Sequence, residues 1–89
     1  MMRLILYSKP GCHLCEGLQE KLAAITSIQF DLEVRDITRN TDWFERYQYE
    51  VPVLMQALPD SNTESLIPRP SPRLSVMQLE RHLQKTLQS

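Results

Sequence analysis

The sequence predicts an α/β fold in which one mixed sheet of four strands is flanked by three helices. Three patterns support this prediction. Apolar residues at helical spacing lie between an apolar run and a run of alternating apolar and polar residues. Two strand-like segments follow, and an amphipathic helix comes last. The 89 residues are too few for two packed cores, so we expect a single domain over residues 1–89.

The first strand and the first helix follow directly from the apolar spacing. Residues 2–7 form an apolar run that the turn-forming residues 8–11 end, as expected for a buried strand. From Cys12 onward the spacing becomes helical, with apolar residues three or four apart at Leu14, Leu18, Leu22 and Ile25. Cys12 is therefore expected at the start of an amphipathic helix that carries these four residues on its apolar face.

A second strand is predicted by strict alternation of apolar and polar residues. The apolar positions are Ile28, Phe30, Leu32 and Val34. A strand, a helix and a second strand form a right-handed βαβ unit, so we expect the two strands to be parallel.

A short second helix is expected after the polar stretch 36–41. Asp42 with Glu45 three residues later has the spacing of a helix cap, and the helix should end near Tyr49. It carries an aromatic cluster made up of Trp43, Phe44, Tyr47 and Tyr49. This cluster either packs the helix onto the sheet or forms a surface that binds a partner.

A hairpin, a loop and a last helix complete the predicted order β-α-β-α-β-β-α. Residues 51–55 are strand-like, residues 58–62 favour a turn, and residues 63–67 return as the fourth strand. The proline-rich stretch 68–73 lacks the amide donors for a helix or a sheet and should be an extended loop. Ser75 and Gln78 then have the spacing of a capping box, before a helix whose apolar face holds Val76, Leu79, Leu83 and Leu87.

Charge and hydropathy exclude two classes of partner. Ten Lys and Arg residues balance eleven Asp and Glu residues, so the chain lacks the basic excess of a general nucleic-acid-binding protein. A membrane-spanning helix needs about 20 apolar residues, and no apolar run in the sequence approaches this length. We therefore expect a cytoplasmic protein that binds neither nucleic acid nor membrane. We also expect a monomer.

The chemistry-bearing motif is Cys12-His13-Leu14-Cys15, a C-x-x-C between a strand and a helix. The first turn of a helix presents unpaired N–H groups and the positive end of the helix dipole, which favour the thiolate and lower the pKa of a cysteine there. Cys12 is thus the candidate nucleophile. Cys15 lies one helical turn later and is the candidate resolving thiol, since it can attack a mixed disulfide on Cys12.

Other readings of the cysteine pair remain open. A structural zinc site needs two more ligands, and only His13 and His82 are left as histidine candidates. Two inert core cysteines, or a metal or cluster shared across a dimer, are further alternatives. A C-x-x-C inside a βαβ pattern favours redox chemistry with no bound cofactor.

The segment from Leu6 to Cys15 resembles the active-site segment of glutaredoxins, and Val51-Pro52-Val53 resembles their cis-proline step. The string Gly-Cys-His-Leu-Cys-Glu is similar to that of a short branch of glutaredoxin-like proteins. The resemblance covers nearly the whole chain. It implies a thioredoxin-like fold and a thiol–disulfide oxidoreductase that reduces protein disulfides or glutathione mixed disulfides. The alternative function is a non-catalytic thioredoxin-fold binding module or redox switch.

The resemblance also implies roles for individual residues. Cys12 would attack the substrate disulfide, and Cys15 would resolve the mixed disulfide that forms. Both would lie beside a cis-proline at Pro52. The backbone of Val51 would offer strand-like hydrogen bonds to a substrate peptide or to glutathione. Lys9 matches a lysine that binds a glutathione carboxylate, although a solvated lysine is the alternative.

The chain departs from the glutaredoxin pattern near the last helix. Glutaredoxins carry a Gly-Gly pair and an acidic residue there, whereas this chain has the stretch 68–74 and no glycine after Gly17. Arg69 or Arg73 would have to supply a carboxylate contact, and we assign Arg73 to substrate binding. The alternatives are that both arginines are solvated, or that an anion binds at the helix start at Ser75. Glutathione is therefore only a candidate co-substrate. The electron donor is either glutathione or an unidentified reductase.

His13 and Leu14 replace the Pro-Tyr pair that is frequent between glutaredoxin cysteines. A charged His13 near Cys12 would stabilise the thiolate and make the disulfide more oxidising. Measurement of the Cys12 pKa and of the reduction potential in His13→Pro tests this hypothesis, which is wrong if neither changes.

Overall fold

A computed structural model describes residues 2–58 and 63–87. The predicted order β-α-β-α-β-β-α is confirmed. The elements are β1 (Met2–Ser8), α1 (His13–Ala24), β2 (Phe30–Asp36), a 3₁₀ turn (Ile37–Arg39), α2 (Thr41–Tyr47), β3 (Val53–Ala57), β4 (Glu64–Leu66) and α3 (Val76–Thr86). The 3₁₀ turn was not predicted, because the stretch that contains it is polar and has no apolar period. It begins where the Asp36 carboxylate accepts the Thr38 N–H.

The four strands form one mixed sheet in the order β2-β1-β3-β4. β1 and β2 are parallel, with Met2 opposite Phe30, as the predicted βαβ unit requires. β3 is antiparallel to both β1 and β4, so the predicted hairpin is confirmed. Most of its predicted turn, residues 59–62, lies outside the described residues. The chain has a thioredoxin-like fold.

The central strand β1 explains why the first apolar run is continuous. Residues 4–7 are all at most 3% exposed, because helices cover both faces of this strand. Leu4 and Leu6 pack with α1 and α3 on one face, whereas Ile5 and Tyr7 pack with residues of α2 on the other. β1 thus delivers the chain to the start of α1 from a fixed position in the core.

The boundaries of several elements differ from the predictions. β3 begins at Val53 rather than at residue 51, and β4 is shorter than the predicted stretch 63–67. β2 begins at Phe30 rather than Ile28. The cap of α2 is Asn40, whose side chain accepts the N–H of Trp43 at 3.1 Å, and not Asp42. A side chain just before the first turn of a helix can accept its free N–H groups, so Asn40 takes this role and α2 starts two residues earlier than predicted. α2 also ends at Tyr47, two residues before the predicted end.

The predicted capping box of α3 is confirmed. The Ser75 hydroxyl accepts the N–H of Gln78 at 3.2 Å, and the Gln78 side chain accepts the N–H of Ser75 at 2.9 Å. The four predicted apolar residues of this helix all belong to the core or pack against it. No helix among the described residues is long and apolar enough to cross a membrane.

Tyr7 and Arg35 tie together three strands on the α2 side of the sheet. The Tyr7 hydroxyl donates to Glu64 at 2.7 Å and accepts from the Arg35 guanidinium at 2.9 Å. The guanidinium lies 5.1 Å from the ring centroid of Trp43 and also bonds to Glu33. Burial, followed by the hydrogen bond to Glu64, raises the pKa of Tyr7 to about 12. The hydrogen bond from Arg35 is the main reason why the pKa of Glu33 lies below its ordinary value.

The raised pKa of Tyr7 predicts a loss of stability in alkali. Between pH 10 and about 12 the unfolded chain loses the tyrosine proton while the folded chain keeps it. The free energy of unfolding should therefore fall over this window, by up to about 3 kcal/mol from this one group. Urea unfolding of the oxidised protein and of Tyr7→Phe from pH 9 to 12 measures the effect. The stability difference between the two proteins should shrink as the pH rises, and parallel curves would contradict the prediction.

Candidate active site

The turn between β1 and α1 positions the first cysteine at the helix start. The Cys12 N–H donates to the Lys9 carbonyl at 3.3 Å, which closes the turn through Pro10 and Gly11. Gly11 has a φ of 77°, a left-handed conformation that glycine adopts without a steric penalty. The strand therefore reverses sharply into the helix at Cys12.

Cys12 is the N-cap of α1, as the sequence predicts. Its sulfur accepts the N–H of Cys15 at 3.2 Å, and its carbonyl accepts the N–H of Glu16 at 3.1 Å. The two cysteines form a disulfide, with 5.3 Å between their Cα atoms. Cys12 is half-buried, whereas Cys15 is only 3% exposed. A molecule in solution can therefore reach the pair from the side of Cys12.

The Val51–Pro52 step lies across a groove from His13 and Leu14, the two residues between the cysteines, because Pro52 lines the same groove as they do. Its peptide bond is cis, Pro52 is buried, and Val51 is half-buried. The N–H of Val51 donates to the Tyr47 carbonyl at 3.0 Å. Of the two backbone groups that the resemblance assigns to substrate binding at Val51, the N–H is thus already bonded within the protein. The carbonyl remains the group that Val51 can offer.

A groove of about 150 Å³ opens beside His13 and Leu14, the two residues between the cysteines. His13 and Leu14 line it from α1, Pro52 from the cis-proline step, and residues 69–72 from the loop before α3. Leu14 is 48% exposed, although its spacing placed it on the apolar face of the helix. The helical spacing correctly predicts that Leu22 and Ile25 are buried. Leu14, however, lies in the first turn of α1, where it borders the groove.

The loop before α3 is held on both sides. The Lys21 ammonium of α1 donates to the Pro72 carbonyl at 2.8 Å. The His82 ring of α3 lies 3.0 Å from the Pro68 carbonyl, which can only accept, so the Nε2 atom donates. The sequence offered His82 as a possible metal ligand, and its role as an anchor was missed because the contact joins residues 14 positions apart.

The cations named from the sequence lie at different places around the site. The Lys9 ammonium donates to the Gln48 carbonyl at 3.3 Å. The His13 side chain is 94% exposed, with its Nδ1 atom 3.6 Å from the Glu16 carboxylate. Arg69 lines the groove, whereas Arg73 is exposed and is not among the lining residues. Of the two arginines that were candidates for a carboxylate contact, the structure thus brings Arg69 to the groove.

The aromatic cluster divides into two parts. Trp43 and Tyr47 pack on Tyr7, with ring centroids 5.7 and 4.5 Å apart, so they hold α2 to the sheet. Phe44 and Tyr49 are 39% and 88% exposed. Over residues 2–58 and 63–87, no three His, Cys, Asp or Glu side chains are grouped closely enough to hold a metal ion.

Comparisons with known proteins agree with this geometry. The sequence model of a family described as "Glutaredoxin-like domain" matches residues 3–84. A solved structure described as the structure of a malarial protein superposes with a TM-score of 0.60 at 12% identity, over 98% of each chain. This likeness supports the fold alone. No curated protein matches the chain.

Proposed function

The chain belongs to the family of glutaredoxin-like domains, and from this membership we propose that it is a thiol–disulfide oxidoreductase acting through Cys12 and Cys15. One observation carries the proposal. The two cysteines are within bonding distance at the start of α1, and only Cys12 is open to a substrate. A disulfide that closes so small a loop adds little to stability, so its presence is better explained by chemistry.

The reduced protein would act in two exchange steps. The Cys12 thiolate attacks one sulfur of a substrate disulfide, the substrate S–S bond breaks, and the released thiolate takes a proton. The Cys15 thiol then loses its proton and attacks Cys12, which expels the second substrate thiolate and forms the intramolecular disulfide. The substrate gains the two electrons that the cysteine pair loses.

The helix start supports the assignment of the two roles. In the disulfide, the sulfur of Cys12 already accepts the Cys15 N–H. After reduction, the same N–H can stabilise the Cys12 thiolate together with the positive end of the helix dipole. Cys15 is buried, so it reaches Cys12 but not a bulky substrate.

The cycle closes when a thiol donor reduces the Cys12–Cys15 disulfide again. Glutathione and a protein reductase are both proposed donors. Two glutathione molecules would supply the two electrons and leave as glutathione disulfide. Since one chain holds both cysteines, we propose that a monomer is sufficient and that no cofactor needs to be bound.

The experiment that tests the proposal is turnover of a small disulfide. Reduced protein is mixed with bis(2-hydroxyethyl) disulfide and an excess of reduced glutathione, and formation of glutathione disulfide is followed. Many turnovers per protein molecule, above the uncatalysed rate, are the expected result. Consumption of a single equivalent, with no further turnover with this donor or with dithiothreitol, would instead indicate a redox switch or binding module.

A further inference from the structure

We propose that the groove lined by His13 and Leu14, the residues that follow Cys12, selects a polypeptide disulfide whose reacting cysteine neighbours an apolar side chain and an acidic residue, in preference to a glutathione mixed disulfide. This inference rests on the proposed oxidoreductase function and specifies its substrate class. It is carried by the lining of the groove, by the charge on its rim and by the backbone of the loop before α3.

The lining of the groove suits an apolar side chain. It is formed largely by aliphatic residues and prolines, among them Leu14, Leu18, Pro52, Pro70 and Leu74. A volume of about 150 Å³ accepts a group of the size of benzene. Because Leu14 lies between the two cysteines in sequence, an apolar side chain in the groove would sit next to a substrate cysteine bonded to Cys12.

The charge on the rim suits a carboxylate. Arg69 and His13 border the groove and are exposed, and no described lining residue is acidic. Lys21 also lines the groove, but its ammonium is bonded to the Pro72 carbonyl. Lys21 keeps its charge in this bond but is held against the loop, so Arg69 is the rim cation whose side chain can turn towards an acidic residue of the substrate.

The loop before α3 offers few backbone donors to a glutathione carboxylate. Its prolines at positions 68, 70 and 72 have no N–H. The N–H groups of Arg73 and Leu74 are donated to Ser71, at 3.2 and 3.1 Å. Glutathione also has no aliphatic side chain to fill the apolar lining. The groove therefore fits an apolar and acidic peptide better than it fits this small thiol.

The test compares four peptide disulfides of one length, three of which differ only beside the reacting cysteine. Three peptides carry Leu with Asp, Ser with Asp, or Leu with Lys, each bonded to the same small thiol. A fourth is the Ser–Asp peptide bonded to glutathione. We expect kcat/KM for the Leu–Asp peptide to be about tenfold or more above that of both Ser–Asp substrates. This is the discrimination that an apolar pocket typically gives when one apolar side chain is present or absent. Its advantage over the Leu–Lys peptide should be a few-fold and should shrink with added salt.

Variants connect these preferences to the groove. Leu14→Gln should remove the preference for Leu over Ser, and Arg69→Gln should remove the preference for Asp over Lys. Two matched controls should keep both preferences. Val34→Thr changes another exposed aliphatic residue, on the edge strand opposite β4, and Arg81→Gln changes an exposed arginine of α3.

The outcomes separate the two proposals. Equal kcat/KM for all four peptide substrates, or faster reaction of the glutathione-bonded peptide, would overturn the inference while leaving the oxidoreductase function intact. Preferences that persist in Leu14→Gln and Arg69→Gln would also overturn it. Absence of turnover with every disulfide, including bis(2-hydroxyethyl) disulfide, would overturn the proposed function and the inference with it.

Discussion

Replacement of Cys12 by serine is expected to abolish turnover of every disulfide substrate. Serine at this position keeps the N-cap oxygen that the helix start needs, but it supplies no thiolate to attack a disulfide. The rate should fall to that of the uncatalysed exchange. The measurement is formation of glutathione disulfide from bis(2-hydroxyethyl) disulfide, with circular dichroism to verify the fold of the variant.

Cys15→Ser is the matched control, because it removes the same disulfide and leaves the attacking sulfur in place. Since Cys15 is buried behind Cys12, this variant should form a mixed disulfide at Cys12 that lasts long enough to be detected by mass. The Cys12→Ser variant should form no such adduct. An adduct on Cys15 in Cys12→Ser, or no adduct in Cys15→Ser, would contradict the assigned roles.

The largest effect on stability is expected for Leu83→Ala. Leu83 is fully buried on α3 and packs in the core between this helix, α1 and the sheet. Truncation of a buried leucine costs about 2–5 kcal/mol, which is a large share of the roughly 4–13 kcal/mol typical of a domain of this length. The melting temperature should fall by more than about 10 °C.

Met77→Ala on the same helix provides the control. Met77 is 63% exposed, so its truncation removes little buried surface and should change the free energy of unfolding by less than about 1 kcal/mol. Urea unfolding of both variants in the oxidised state measures the difference. Similar losses in the two variants would show that α3 is not packed as described.

Features set by neighbouring residues were predictable from the sequence. The apolar run of β1, the Pro-Gly turn and the position of Cys12 all depend on residues within a few positions of one another. The capping box of α3 is likewise local, and it occurs as predicted. These local signals were sufficient to place the cysteine pair at a helix start and to give the order of the elements.

Features that depend on contacts between distant segments could not be predicted in this way. Helical spacing assigns Leu14 to the apolar face, and only the packing of α1 against the loop before α3 leaves it exposed in the groove. The sequence also offered Arg69 and Arg73 as candidates for a carboxylate contact, and the assignment went to Arg73. The path of the loop, fixed by bonds from Lys21 and His82, brings Arg69 to the groove.

The backbone at Val51 gives a third example. The resemblance assigned its peptide groups to the substrate, but the end of α2 uses the N–H through the Tyr47 carbonyl. Such a bond depends on where α2 ends, and helix ends are poorly defined by residue patterns. The hydrogen bonds and the lining of the site could therefore be established only from the structure, whereas the cysteine pair could be predicted from the sequence.

The reduction potential of the Cys12–Cys15 couple tests the central claim most directly. The protein is equilibrated in glutathione redox buffers, and the mass of each state shows whether it carries a disulfide, two thiols or a glutathione adduct. An oxidoreductase should show a two-electron couple at about −270 to −180 mV. Failure of the disulfide to form, or a potential far outside this range with no adduct, would contradict the claim and favour a binding module.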